Sequence, residues 1–144
     1  MKTAMIDEQR ADAHVVVYGD ASPITEQEWH LARLVWALSE VPLVIAHTTE
    51  GWRASVGHPH SPPLQPTRSE AVAQLMQWLT DEAKRVAVWC DGKAASTRER
   101  MAEREPMAGD AARVEYAERR EAQAARLRAL LAGAPDAAHG GPRG

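Results

Sequence analysis

The chain combines short β-branched runs with longer stretches in which apolar residues recur at helical spacing. The runs are typical of strands, and there are four of them: residues 14–18, 43–46, 52–56 and 86–90. The first is followed by Gly19-Asp20 and the last by Asp91-Gly92, both of which indicate turns. The middle two are separated by a short connection that ends in Gly51, which predicts a β-hairpin.

The first two predicted helices begin with the same pattern of polar residues. Thr25 precedes Glu28 by three residues, and Thr67 precedes Glu70 by the same interval, which is the spacing of a capping box. Apolar stripes with helical spacing follow over residues 31–38 and 71–79. Pro42 ends the first helix, because a proline disfavours helical geometry at the residue before it.

The predicted order βαββαβ indicates an α+β fold, a ferredoxin-like sandwich with two helices on one face of a four-stranded antiparallel sheet. We expect this domain to occupy residues 13–93, after a flexible N-terminus of residues 1–12. Residues 94–133 read as a charged helical extension whose main helix runs from Asp110 to about Ala132. Residues 134–144 read as a disordered tail.

Composition and charge narrow the class of protein. An apolar fraction of 44% and a charged fraction of 26% are those of an ordinary soluble domain. The net charge of −3 gives no global attraction to nucleic acid or an anionic membrane. Lys and Arg number 8 against 12 acids in residues 1–96, and 8 against 7 in residues 97–132. A single cysteine, Cys90, and the lack of a signal-like or membrane-spanning run predict a cytoplasmic protein.

No catalytic or cofactor motif is present, so we expect neither an enzyme nor a bound cofactor. The histidines offer one weak alternative. His47 in the hairpin, and His58 and His60 in the proline-rich loop of residues 57–66, could supply ligands to a metal such as zinc. Nothing in their spacing fixes a metal geometry, and solvated loop histidines account for them more simply.

Aromatic and arginine side chains supply the candidates for partner binding, because Trp, Tyr and Arg are enriched at interface hot spots. On the sheet face turned away from the helices we expect Tyr18 and Trp89, with Arg53 beside them. Trp52 joins that face only if the third strand has the opposite orientation, since Trp52 and Ala54 also suit the core. On the C-terminal helix the candidates are Tyr116, Arg119 and Arg120.

One family comparison follows from the predicted order of elements. The run from Val17 through Gly19 to Ile24-Thr25-Glu26 is similar to the opening of an RNA-recognition motif, and the resemblance covers about residues 14–93. It implies a shared topology and single-stranded nucleic acid as a ligand. The third predicted strand, GWRASVG, lacks the two alternating aromatics of the family's stacking platform.

Three functions therefore remain as hypotheses. The first is a small non-enzymatic protein-binding module, acting as a regulator, adaptor or inhibitor by occupying a partner's surface or by self-association. The second is single-stranded nucleic-acid binding through the open sheet face, with Tyr18, Trp89 and Arg53 in contact with the ligand. The third is a small metal-dependent enzyme that uses the loop histidines. The lack of catalytic and cofactor motifs favours the first hypothesis.

Overall fold

The computed structural model describes residues 4–57 and 62–133. The fold is α+β, with a four-stranded mixed sheet and three helices. In chain order the elements are β1 (Met5–Arg10), β2 (Ala13–Tyr18), α1 (Glu26–Ser39), β3 (Leu43–Thr48), β4 (Gly51–Ser55), α2 (Arg68–Ala102) and α3 (Asp110–Ala132).

The strands lie in the order β1-β2-β3-β4. β2 and β3 are parallel, whereas β1 and β4 run antiparallel to their neighbours. Val15 and Val17 are fully buried under the helices, and Val16 on the other face of β2 is 7% exposed. An apolar run with this burial requires a neighbouring strand on each side, and β1 and β3 provide them.

β1 is a strand that the sequence analysis did not predict, since Met5–Arg10 falls within residues 1–12, which we expected to be flexible. These residues pair with β2 from Met5↔Tyr18 to Arg10↔Ala13. Four of the six are charged or amide side chains, and all but Ile6 are exposed. An edge strand in contact with solvent has no need of the β-branched pattern that identifies buried strands.

α1 and the central hairpin confirm their predictions. The Thr25 hydroxyl accepts from the Glu28 amide, and the Glu28 carboxylate accepts from the Thr25 amide, so the capping box is complete. Glu40 ends the helix in the left-handed conformation, with φ of 52°. β3 and β4 form the expected antiparallel hairpin, with Thr49 and Glu50 between the strands.

The predicted fourth strand, residues 86–90, is wrong, because α2 runs unbroken from Arg68 to Ala102. The sequence feature that indicates the longer helix is the helical spacing, three or four residues apart, of its small buried residues. These are Ala83, Ala87, Cys90 and Ala94. These positions share one helical face, whereas Val88 lies outside it and is 68% exposed. Asp91 and Gly92 do not form a turn.

α3 packs along the second half of α2 as a helical hairpin and also contacts α1. Ala117 and Ala124 face the small residues of α2, and Leu127 is completely buried in the core. Gly109, rather than Asp110, is the N-cap of this helix. The predicted charged helix is thus present over Asp110–Ala132, and it completes the core.

The ferredoxin-like arrangement is not confirmed. That arrangement requires an antiparallel sheet with a strand after the second helix, whereas this sheet is mixed and its strands all precede α2. The Thr67 cap is confirmed, since its hydroxyl accepts from the Glu70 amide. The predicted disordered tail, residues 134–144, lies outside the described residues.

Candidate binding surface on the helical hairpin

The predicted partner-binding residues occupy three places. Tyr18 and Arg53 lie on the open sheet face in one cross-strand row, with Ala46 between them. Trp52 lies on the opposite face, partly buried against the core, where its ring stacks on His47 at 4.1 Å with an interplanar angle of 5°. The register of β4 therefore excludes Trp52 from the open face.

Trp89 is not on the sheet at all, because it belongs to α2. There it joins two of the candidates from the C-terminal helix. The Arg120 guanidinium carbon lies 4.7 Å from the centroid of the Trp89 ring and 5.1 Å from that of Tyr116. Lys93 adds a second cation at 5.7 Å from the Trp89 ring. Because residues 86–90 were predicted as a strand, Trp89 was assigned to the sheet, away from Tyr116 and Arg120. The helical hairpin brings these three residues together.

Arg120 is held in place by a hydrogen bond to Gln123, a side chain that itself bonds to both α1 and α2. Its Nη1 donates to Gln123 Oε1 at 3.0 Å, and the same oxygen accepts from the Cys90 thiol at 3.2 Å. Gln123 Nε2 in turn donates to the carbonyl of Ala37 at 3.4 Å. The interaction with Tyr116 is the largest of the effects that raise the pKa of Arg120. An arginine guanidinium is charged at physiological pH in any case.

A groove of about 730 Å³ opens beside Arg120, between the C-terminal end of α1 and α3. Trp36 and Leu38 form its apolar wall on α1, and Glu40 lies at its end. Tyr116 and Arg119 line it from α3. A groove of this size, with apolar walls and several polar groups, is suited to binding side chains of another molecule.

A second groove of about 570 Å³ lies between the ends of α2 and α3. Met101 and Met107 provide apolar lining, and Arg100 lies at its margin. Tyr116 lines both grooves, so the two adjoin at this residue on the helical hairpin. We call this combined surface the hairpin groove. Its lining from the two sites includes six arginines and one acid: Arg100, Arg104, Arg113, Arg119, Arg120, Arg126 and Glu40.

Not all of these arginines are available to a ligand. Arg104 and Arg113 both donate to Asp110, at 2.7 and 3.0 Å. Together with the amide of Met107, they hold the pKa of Asp110 well below its usual range, the Arg104 hydrogen bond being the largest cause. Arg126 pairs with Asp12 at 3.1 Å.

The other three arginines keep donor capacity. Arg119 only approaches Glu115, at 4.0 Å. Within residues 4–57 and 62–133, neither Arg100 nor Arg120 forms an ion pair with a carboxylate. The hairpin groove is therefore locally basic on a protein with a net charge of −3.

A separate charged cluster lies where the first turns of α1 and α2 meet. Arg68, which the sequence analysis did not consider, donates to both Glu28 and Asp20. Glu28 is 3% exposed, and its carboxylate also completes the α1 capping box. The amide of Ser22 and the Arg68 guanidinium lower the pKa of Asp20. Each charged side chain in this cluster has a hydrogen-bonded partner of opposite charge. Such pairing is typical of a cluster that stabilises the fold rather than of a reactive site.

The metal hypothesis finds no assembled ligand set in the described ranges, where no three His, Cys, Asp or Glu side chains converge. The ring of His47 stacks on Trp52. His58 and His60 lie outside the described residues.

Comparison with known proteins gives no match to a protein-family model, to a curated protein or to a solved structure. None of the helices in the described part of the chain combines the length and the apolar character needed to cross a bilayer.

Proposed function

We propose that this protein is a small non-enzymatic protein-binding module that acts as a regulator, adaptor or inhibitor, and that its partner docks in the hairpin groove. The observation that carries the proposal is the seating of Arg120 between Trp89 and Tyr116 at the edge of a concave surface. Trp, Tyr and Arg are the side chain types most enriched among the residues that dominate binding energy at protein interfaces.

The chemistry of the groove supports a protein partner. Its walls mix apolar side chains, such as Trp36, Met101 and Met107, with arginines. This mixture is typical of the core and rim of a protein interface. Cys90 is the one cysteine in the sequence and its side chain is buried, which fits a reducing compartment, and a cytoplasmic location belongs to this proposal.

The open sheet face favours the second candidate, single-stranded nucleic-acid binding, on one specific observation. Tyr18 is 44% exposed and shares a cross-strand row with Arg53. Stacking of a base on Tyr18 with a phosphate near Arg53 would use that row. However, the Arg53 side chain already donates to the carbonyl of Pro62 at 2.8 Å, and Asp7 lies on the same face.

The test is affinity capture from the native host with three forms of the protein: wild type, Arg120→Gln and Arg98→Gln. Arg98 pairs with Glu121 on the opposite flank of the helical hairpin and is 45% exposed, so it is the matched control. We expect one protein to be retained by wild type and by Arg98→Gln but lost with Arg120→Gln. Equal retention by all three forms contradicts docking in the hairpin groove.

Nuclease treatment and salt separate the two candidates. Capture that persists after nuclease treatment supports a direct protein partner. Oligonucleotide binding at low salt that falls steeply as salt rises, and that is lost in Tyr18→Ala, supports the open sheet face instead, through counterion release.

A further inference from the structure

We infer that the segment recognised by the hairpin groove is acidic, with a carboxylate that meets Arg120 and an apolar side chain that enters the pocket lined by Met101, Met107 and Tyr116. This inference rests on the proposed function and specifies the partner's chemistry.

Charge complementarity is the first argument. Arg100, Arg119 and Arg120 line the hairpin groove with donor capacity that no close carboxylate uses in the described ranges, and Glu40 is the one acid lining it. A cationic segment would be repelled by these arginines, and a neutral segment would offer them only uncharged acceptors. A carboxylate would gain charge-assisted hydrogen bonds, which are stronger than neutral ones.

Pre-organisation is the second argument. Arg120 is fixed by Gln123 through Nη1 and by two rings that flank the guanidinium. The side chain has therefore lost much of its conformational freedom before a ligand arrives, which lowers the entropic cost of binding. A planar guanidinium held in this way favours a planar carboxylate, which it can bind in a bidentate manner.

The third argument concerns length and the apolar anchor. From Arg113 to Arg126 the hairpin groove follows α3 for about 20 Å, at 1.5 Å per residue. An extended segment of about six residues covers that distance. Met107 is 53% exposed, and it lines the second groove together with Arg100. An apolar side chain placed there would cover the two methionines, whose flexible thioethers adapt to different shapes.

The experiment uses three labelled peptides with blocked ends, of equal length, in which Leu alternates with Glu, with Gln or with Lys. Fluorescence anisotropy measures their binding to the full chain as wild type, Arg120→Gln, Arg120→Lys and Arg98→Gln. A single-stranded oligothymidine of similar length is the fourth probe. Thermal unfolding of each variant verifies that the fold is retained.

We expect the Glu-Leu peptide to bind best and the Lys-Leu peptide worst. Loss of a charge-assisted contact in Arg120→Gln is expected to weaken the Glu-Leu peptide on the order of tenfold or more. Arg120→Lys should recover only part of the loss, because lysine lacks the planar fork. Arg98→Gln should bind as wild type does.

Equal binding of the three peptides, or preference for Lys-Leu, overturns the inference. So does binding of oligothymidine alone, which would assign the hairpin groove to nucleic acid. A concentration-dependent rise in mass that disappears in Arg120→Gln would assign it to a second copy of the chain. If capture from the host depends on Arg120 but no acidic preference is found, the proposed function stands and only the partner's chemistry is wrong.

Discussion

Arg68 donates its Nε and Nη2 to the two carboxylate oxygens of Glu28, each at 2.7 Å, and so joins the first turn of α2 to the first turn of α1. Glu28 is 3% exposed, and the Arg68 side chain is 12% exposed. The pair is therefore largely removed from water. Arg68 Nη1 also donates to Asp20 at 2.9 Å, and this bond connects the segment that follows β2 to both helices.

We predict that Arg68→Met is strongly destabilising. Removing one partner of a buried ion pair leaves an uncompensated charge, here on Glu28, and typically costs about 3–5 kcal/mol. The free energy of unfolding, measured by urea titration, is the readout. The double variant Arg68→Met with Glu28→Gln removes that lone charge and should recover part of the loss. A change below about 1 kcal/mol in the single variant would contradict the assignment of this pair as a structural link.

A glycine substitution tests the continuity of α2. Gly92 lies in the helix interior with open space where a Cβ would be added. We predict that Gly92→Ala stabilises the protein by about 1 kcal/mol, the difference in helix propensity between the two residues. Unfolding measurements detect such a change readily. If residues 86–92 formed a strand and turn, alanine at this position would give no such gain.

Gly19→Ala provides the contrast, because this glycine has a φ of +81°. An added Cβ would lie 2.5 Å from the carbonyl oxygen of His47, a backbone atom that cannot move aside cheaply. We predict a loss of about 1–3 kcal/mol, the usual cost of a strained backbone position. A neutral result would mean that the turn after β2 rearranges.

The sequence was informative where local signals and tertiary structure agree. The Thr25–Glu28 box, the stop at Pro42 and the hairpin around Gly51 are local chemistry, and all were predictable. The α2 error arose because Val86 and Val88 alternate as in a strand, whereas burial against α3 decides the conformation of this segment. Propensity is overridden by tertiary contacts in such cases.

The candidate site was predictable only in part. Trp89, Tyr116 and Arg120 were chosen as residue types suited to interfaces, but they were assigned to different surfaces. Their proximity depends on the antiparallel packing of α2 and α3. In the sequence, this packing is indicated by small residues such as Ala87 and Ala94, which recur on one face of α2. Gln123 and Arg68 could not be recognised, because a single polar residue on a charged helix carries no local sign of the partners it meets across the fold.

His30 predicts a pH dependence of stability. It is 6% exposed, and its Nε2 has no hydrogen-bond partner in the described residues. Burial, and secondarily the charge of Arg33, lower its pKa below the usual 6.5. The folded state therefore disfavours protonation, whereas the unfolded state takes up the proton near pH 6.5.

The contribution of neutral His30 to the free energy of unfolding is thus fully present above pH 6.5. It is lost as the pH falls below that value. We predict that His30→Leu makes the free energy of unfolding less dependent on pH in this acidic range. Urea titrations at a series of pH values provide the measurement. An unchanged pH dependence in His30→Leu would contradict this role for His30.

The thiol of Cys90 reports whether α3 is a structural part of the domain. It is completely buried between α2 and α3, so an alkylating reagent reaches it only when the helical hairpin opens. Leu127 is also fully buried, and we predict that Leu127→Ala costs about 2–5 kcal/mol through the cavity that it leaves. Alkylation of Cys90 should accelerate in the same variant.

Val88→Ala is the matched control, because Val88 is 68% exposed although it lies two residues from Cys90. We expect its alkylation rate and stability to stay close to those of wild type, since truncation of an exposed side chain usually changes stability by less than about 0.5 kcal/mol. Rapid alkylation of the wild-type protein would show that α3 is detached in solution. Because Arg120 meets Trp89 only when the two helices are packed, such a result would also remove the basis of the hairpin groove.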